Sequence, residues 1–342
     1  MNRHRIIPLD AADAWSAALE GIPHAIAHTH AYARAMQRSS GFETFLYCFD
    51  DGTTRIVTPL AERPFGELVD VVTPYGFSGF VGSGEHARFP ELWREFARSR
   101  RYVCGYIGLH PLLTRASYVC PSDVVEHHQV YVLDLTLSIE QLFRRLSELR
   151  RRGLKAWRAS ESTYSLDRER LAAFFVEQYT DFMRARGARD VYLVSKETLI
   201  ALCEAPTMLL VGGCAAGRLE AVALFGYTPY VGDYLFSVSV EGGQRHTTAL
   251  IWYAVQYLQA LGVPLLNLGG GIRPNDGVAQ YKERFGAARV PLRALQHVYR
   301  AREYAALCRR VGADPRDRGG YFPAYRARGA RPERAEEGAP TG

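Results

Sequence analysis

The tightest constraint in this chain lies near its end. There the apolar run Leu265-Leu266-Asn267-Leu268 passes directly into Gly269-Gly270-Gly271. Three successive residues without a Cβ at a strand end favour a tight turn that lets other groups approach the backbone closely. A short loop then leads to a helix over Val278–Phe285 that carries Lys282 beside Tyr281 and Phe285. Upstream, a strand over Tyr234–Val240 feeds a helix over Thr247–Leu261. A strand end, a glycine-lined turn and a lysine are thereby set close together in the chain.

The 342 residues suffice for two ordinary domains or one large one. Apolar side chains make up 47% of them, enough for a sizeable core, and the net charge of +6 suits phosphate-bearing partners without requiring nucleic acid. The six cysteines form no C-x-x-C pair and mostly sit in apolar runs, so they read as buried free thiols. Behind the basic N-terminal residues there is no apolar run of signal-peptide type, and no stretch approaches the ~18 apolar residues of a spanning helix. A soluble, cytoplasmic protein is expected. The pairs His28/His30 and His127/His128 lack a matching carboxylate or cysteine set, so no metal is expected.

Helices are expected over Asp13–Leu19, His30–Gln37 and Phe89–Ser99. Asp50-Asp51-Gly52-Thr53 joins two strand-like runs, Thr44–Phe49 and Arg55–Leu60, as a hairpin. Further strands are expected over Tyr102–Leu109 and Val130–Leu135. Ser138 with Gln141 forms a capping box for a long helix that continues through the basic run Arg144–Arg158. Another helix spans Asp167–Ala185, with Leu171, Phe175, Tyr179 and Phe182 on one side. A meander of Thr207–Val211, Ala221–Tyr227 and Tyr234–Val240 follows, and the last strand is Leu292–Tyr299. Hairpin, glycine loop, helix and strand also occur in this order in the first half. The pattern implies an α+β chain of two related units, 1–136 and 137–299, with 300–325 returning to the first. The Arg-, Pro- and Glu-rich stretch 326–342 reads as a disordered tail.

Strand–strand–strand–helix–strand–helix–strand is similar to the GNAT acyltransferase pattern. Asn267-Leu268-Gly269-Gly270-Gly271 with Tyr281-Lys282-x-x-Phe285-Gly286 resembles the C-terminal signature of the Fem family and its FemAB-like relatives. Arg150 to Trp157 resembles the basic helix that opens their second unit, and Tyr75-Gly76-Phe77-Ser78-Gly79-Phe80 their first-unit aromatic loop. Gly108-Leu109-His110-Pro111 stands where Fem proteins often carry Arg-x-Asp-Pro. The resemblance implies two tandem GNAT-like units that transfer an acyl group to an amine. It implies no bound cofactor: the donor is a substrate, an aminoacyl-tRNA in the Fem branch or an acyl-CoA in others.

The resemblance makes Lys282 the cation for the oxyanion or a donor phosphate, and Tyr234 a residue that orients substrate. Tyr75, Asn267, Gly269, Gly270 and Phe285 would line the substrate cleft. Arg189 would lie near an acceptor diphosphate. Arg151, Lys155 and Arg158 fall on one helical face, placed to meet phosphates of tRNA or of a nucleotide-linked acceptor. Gln244, Arg245, Thr247 and Thr248 occupy the loop where CoA-using relatives bind pyrophosphate on glycine-rich backbone. Here the central glycine is missing, which favours a tRNA donor. The expected function is therefore an N-acyltransferase that moves an aminoacyl group onto an amine of a peptide, cell-wall precursor or small metabolite. An acyl-CoA-dependent transferase for an amino sugar in polysaccharide biosynthesis is the alternative. A non-catalytic module that binds a glycan precursor or tRNA is another.

Overall fold

A computed structural model describes residues 3–188, 190–271, 276–317 and 319–327. In chain order it contains β1 (His4–Pro8), α1 (Ala12–Leu19), α2 (His30–Ser40), β2 (Glu43–Asp50), β3 (Arg55–Phe65), β4 (Leu68–Val72), β5 (Val81–Gly82), α3 (Phe89–Ser99) and β6 (Cys104–Leu109). Then come β7 (Val124–Asp134), α4 (Ile139–Arg145), α5 (Glu148–Ala159), β8 (Ser162–Ser165), α6 (Arg168–Ala185), α7 (Lys196–Glu204), β9 (Met208–Ala215) and β10 (Arg218–Tyr227). The chain ends with β11 (Gly232–Ser239), α8 (Thr247–Ala260), β12 (Leu265–Gly270), α9 (Gly277–Glu283), β13 (Ala288–Val298) and α10 (Ala301–Arg310).

The strands form one mixed sheet in the order β1-β2-β3-β4-β6-β13-β7-β12-β11-β10-β9-β8, with β5 paired to β3. This is the expected α+β architecture. The same succession occurs twice: an antiparallel meander, a helix, and a return strand parallel to the last meander strand. β2-β3-β4-α3-β6 is the first instance and β9-β10-β11-α8-β12 the second. In each, the parallel pairing is brief. β4 meets β6 only at Val71–Gly105 and Val72–Tyr106, and β11 meets β12 only at Gly232–Leu266 and Asp233–Asn267. Beyond those pairs the strands part and leave a fork.

Helices cover both faces of the sheet. Leu142, Leu154, Trp252, Val255, Leu258 and Phe285 pack on one side of the second half, and Phe175, Tyr179, Leu199 and Leu202 on the other. α2 belongs to this second cluster through Tyr32, Ala35 and Met36, so a helix from the first half completes the core of the second.

The long helix expected from Ser138 is two helices. The capping box at Ser138 and Gln141 is present. The chain then leaves helical geometry at Leu146, and Ser147 caps a new helix by accepting from the Arg150 amide. The Ser147 amide meanwhile donates to the Arg284 carbonyl at 2.9 Å, which ties the break to the end of α9. The described residues continue past Tyr325 to Ala327. Asp70, 1% exposed, accepts from Arg63 Nε at 2.6 Å, Tyr325 Oη at 2.7 Å and Arg326 Nε at 2.7 Å. Residues 328–342 lie outside the described residues. The Asp70→Ala substitution leaves these donors without their acceptor and is expected to destabilise the protein by about 3–5 kcal/mol in urea denaturation.

Candidate functional site

The first fork is filled by its own chain. Thr73 Oγ1 accepts from the Gly108 amide at 3.0 Å, and a Cβ on Gly79 would lie 2.3 Å from the Gly108 carbonyl oxygen. The second fork is built differently. Asn267 is fully buried; its Nδ2 donates to Asp233 Oδ1 at 3.0 Å, and its Oδ1 accepts from the Gly269 amide at 2.8 Å. Gly269 takes φ +72°, which glycine adopts without strain, and the β12–β7 register slips between Asn267 and Gly270. A Cβ on Gly270 would lie 2.8 Å from the Gln129 carbonyl oxygen, so this second glycine is required by close packing.

The bulge turns the Gly270 carbonyl toward α9, where Lys282 Nζ donates to it at 2.7 Å. Lys282 is half-buried as a side chain, but its ammonium end is enclosed. Burial lowers its pKa to about 8, against the opposing pull of Asp276. Nζ also lies 5.9 Å from the centre of the Tyr234 ring. With one N–H engaged by Gly270, two remain to meet a developing negative charge. Tyr234 stacks on Phe225 at 4.9 Å, and burial raises its pKa, so its hydroxyl stays protonated.

The loop before α8 is occupied by the protein itself. Trp157 Nε1 donates to His246 Nδ1 at 2.8 Å, so the ring proton is on Nε2, which donates to Glu220 Oε2 at 3.1 Å. Arg245 pairs with the same carboxylate at 2.6 Å. His246 is fully buried, and Gly243 fits because a Cβ there would lie 2.2 Å from the Glu220 carbonyl oxygen. At the first turn of α8, Thr248 Oγ1 lies 3.0 Å from Arg150 Nη1 and 3.1 Å from Tyr281 Oη. The Arg150 guanidinium rests on the Tyr281 ring at 3.8 Å.

No family model and no curated protein matches the sequence. Solved structures do match it. FemX superposes with TM-score 0.64 at 11% identity, over 89% of this chain and 99% of its own. The chain has a FemX-like fold. A conserved protein of unknown function from Bacteroides thetaiotaomicron superposes with TM-score 0.60 at 11% identity, over 87% and 100% of the two chains. The C-terminal DUF2156 domain of a protein named as a lysylphosphatidylglycerol synthetase, from Agrobacterium fabrum, gives 0.53 at 15% identity, over 81% and 97%.

Within this FemX-like fold, Lys282, Tyr234, Asn267, Gly269 and Gly270 converge at the second fork. Phe285 is a core residue, 1% exposed, beneath Arg150. Tyr75 lies across the sheet, stacked on Phe236 at 6.0 Å. Arg151, Lys155 and Arg158 are not drawn to the fork: Lys155 and Arg158 are exposed, and Arg151 Nη1 donates to the Arg144 carbonyl. The inward face of α5 is Arg150, Leu154 and Trp157. Gln244 is exposed and Thr247 half-buried, whereas Thr248 makes the Arg150 contact. Arg189 lies outside the described residues. Among these no helix is long and apolar enough to cross a membrane.

Two residues escaped the sequence reading. Arg150 shares the stripe of the apolar Leu154 and Trp157, a signal that was available. Asp233, one residue before Tyr234, carried none. It is 1% exposed, and burial raises its pKa to about 7 despite the Asn267 hydrogen bond. The unfolded chain releases this proton near pH 4, the folded protein only near 7, so Asp233 costs stability as pH rises between them, on the order of 4 kcal/mol. Asp233→Asn removes that titration. Its stability relative to wild type should therefore grow from pH 4 to pH 7.5 in urea denaturation; a constant difference would contradict the assignment.

Proposed function

We propose that the chain is an N-acyltransferase that moves an aminoacyl group from aminoacyl-tRNA onto an amine of a peptide, cell-wall precursor or small metabolite. The observation that carries this reading is the Lys282 ammonium, held by Gly270 at the second strand fork with two N–H groups free of that bond. Acyl transfer passes through a tetrahedral oxyanion, and a fixed, partly desolvated cation stabilises it far more than it stabilises the neutral carbonyl. The Tyr234 face supports the ammonium and would position substrate beside it. The likeness of fold to FemX supports the class.

The loop before α8 favours the tRNA donor. A CoA pyrophosphate needs free backbone amides there, and His246, Trp157 and Glu220 take up the space with a closed hydrogen-bond chain. The exposed cations Lys155 and Arg158, with Arg151 beside them, offer contacts to a nucleic-acid backbone.

Lys282→Met should lower the rate of transfer from charged tRNA about 100-fold at unchanged folding. Wild-type activity should fall as pH rises through about 8, where the ammonium loses its proton. A threefold loss or less would remove Lys282 from the chemistry, and binding without turnover in the wild type would favour a non-catalytic module. Replacing Arg151, Lys155 and Arg158 with Gln should weaken tRNA binding and reduce the slope of log K against log salt by about 2–3. An unchanged slope, or binding of acetyl-CoA in place of tRNA, would redirect the donor assignment.

A further inference from the structure

Asp233 is buried and short of partners. Its Oδ1 accepts from Asn267, while Oδ2 has no hydrogen-bond partner and no cation pairs with the carboxylate among the described residues. The Tyr32 hydroxyl, on α2, is close enough for the Asp233 charge to raise its pKa further beyond the effect of burial, and it too has no hydrogen-bond partner. Tyr179, on α6, is the other titratable group that acts on Tyr32, and Tyr32 in turn raises the pKa of Tyr75 in the first-half loop. Lys282 is engaged with Gly270. Gly76, half-buried, leaves the hydroxyl clear: a Cβ there would lie 2.9 Å from it.

A buried carboxylate oxygen with no cation is costly, and buried polar atoms without partners mark places where a ligand or water belongs. Two such atoms occur, one in each half of the chain: Asp233 Oδ2 on β11 and the Tyr32 hydroxyl on α2, which packs in the core beside β11. We propose that Asp233 Oδ2 and the Tyr32 hydroxyl receive the primary ammonium of the acceptor, and that Asp233 takes the first proton the amine must lose. This rests on the N-acyltransferase reading. The acceptor enters as R–NH3+, and transfer of one proton to Oδ2 leaves R–NH2. The nitrogen lone pair attacks the donor carbonyl, a C–N bond forms and the ester C–O bond breaks. The second nitrogen proton passes to the leaving ribose oxygen, giving an amide and an alcohol. Protonated Asp233 then returns its proton to solvent.

The test follows the Asp233 carboxyl by carbon NMR in the full-length protein, its signal assigned by its loss in Asp233→Asn. It is titrated with pH in the presence of n-propylammonium chloride, and again in sodium chloride of equal ionic strength. Propylammonium should lower the titration midpoint by about one pH unit or more, because a cation at close range favours the carboxylate. 1-Propanol should leave it in place, and Tyr32→Phe should weaken propylammonium binding severalfold. A midpoint that propylammonium does not move overturns the proposal. So does Asp233→Asn protein that transfers acyl groups at the wild-type rate with the wild-type pH profile, a result that leaves the acyltransferase reading standing. If instead propylammonium binds at Asp233 but no donor supports transfer, the ammonium site stands and the acyltransferase reading falls.

Discussion

The sheet is held together by its last strand. β13 lies between β6 and β7, antiparallel to both, pairing with β6 from Arg293 to Val298 and with β7 from Ala288 to Leu295. Without it, each half would present an open edge of unpaired amides and carbonyls. These are contacts between residues far apart in sequence, so the chain must be nearly complete before the sheet can close. The segment after β13 then returns to the first half, where Tyr325 and Arg326 reach Asp70. Together with α2 in the core of the second half, this makes the two halves one cooperative body and fixes Tyr32 opposite β11.

Given that frame, the difference between the two forks follows from a few residues. In the first, Thr73 satisfies the Gly108 amide and Gly79 packs against the Gly108 carbonyl, so the gap is used up by local contacts. In the second, Asn267 bridges Asp233 and the Gly269 amide, and the left-handed glycine sends the next carbonyl outward to Lys282. The pairing there ends in a bulge, a device that redirects backbone groups at functional sites.

The sequence shows the second fork through its glycines and Lys282, because a triple glycine after an apolar run has few structural uses. The meander, the α8 segment and the capping box at Ser138 were equally legible, since each rests on local signals. What was hidden depends on contacts distant in sequence. The break at Leu146 is made by the Ser147 amide bonding to Arg284, and β1, α7 and α10 are short elements whose stability comes from packing. On α5, charge draws attention to 151, 155 and 158, which lie away from the fork. The apolar residues Leu154 and Trp157 mark the inward face, and it is their neighbour Arg150 that reaches Thr248 and Tyr281.

Asp70 and Asp233 show how one residue type serves two ends. Each is 1% exposed. Asp70 is met by two guanidinium groups and a hydroxyl, so its ionised form is compensated and it ties the chain end to the first half. Asp233 receives a single amide donor, and burial holds its carboxyl near neutrality. Across the same fork, burial moves the Lys282 ammonium down toward the same range. A fold selected for stability alone would pair or replace both groups. In the proposed transfer Asp233 would take the first amine proton while Lys282 keeps its own and meets the oxyanion, two roles that buried groups of opposite type can hold side by side.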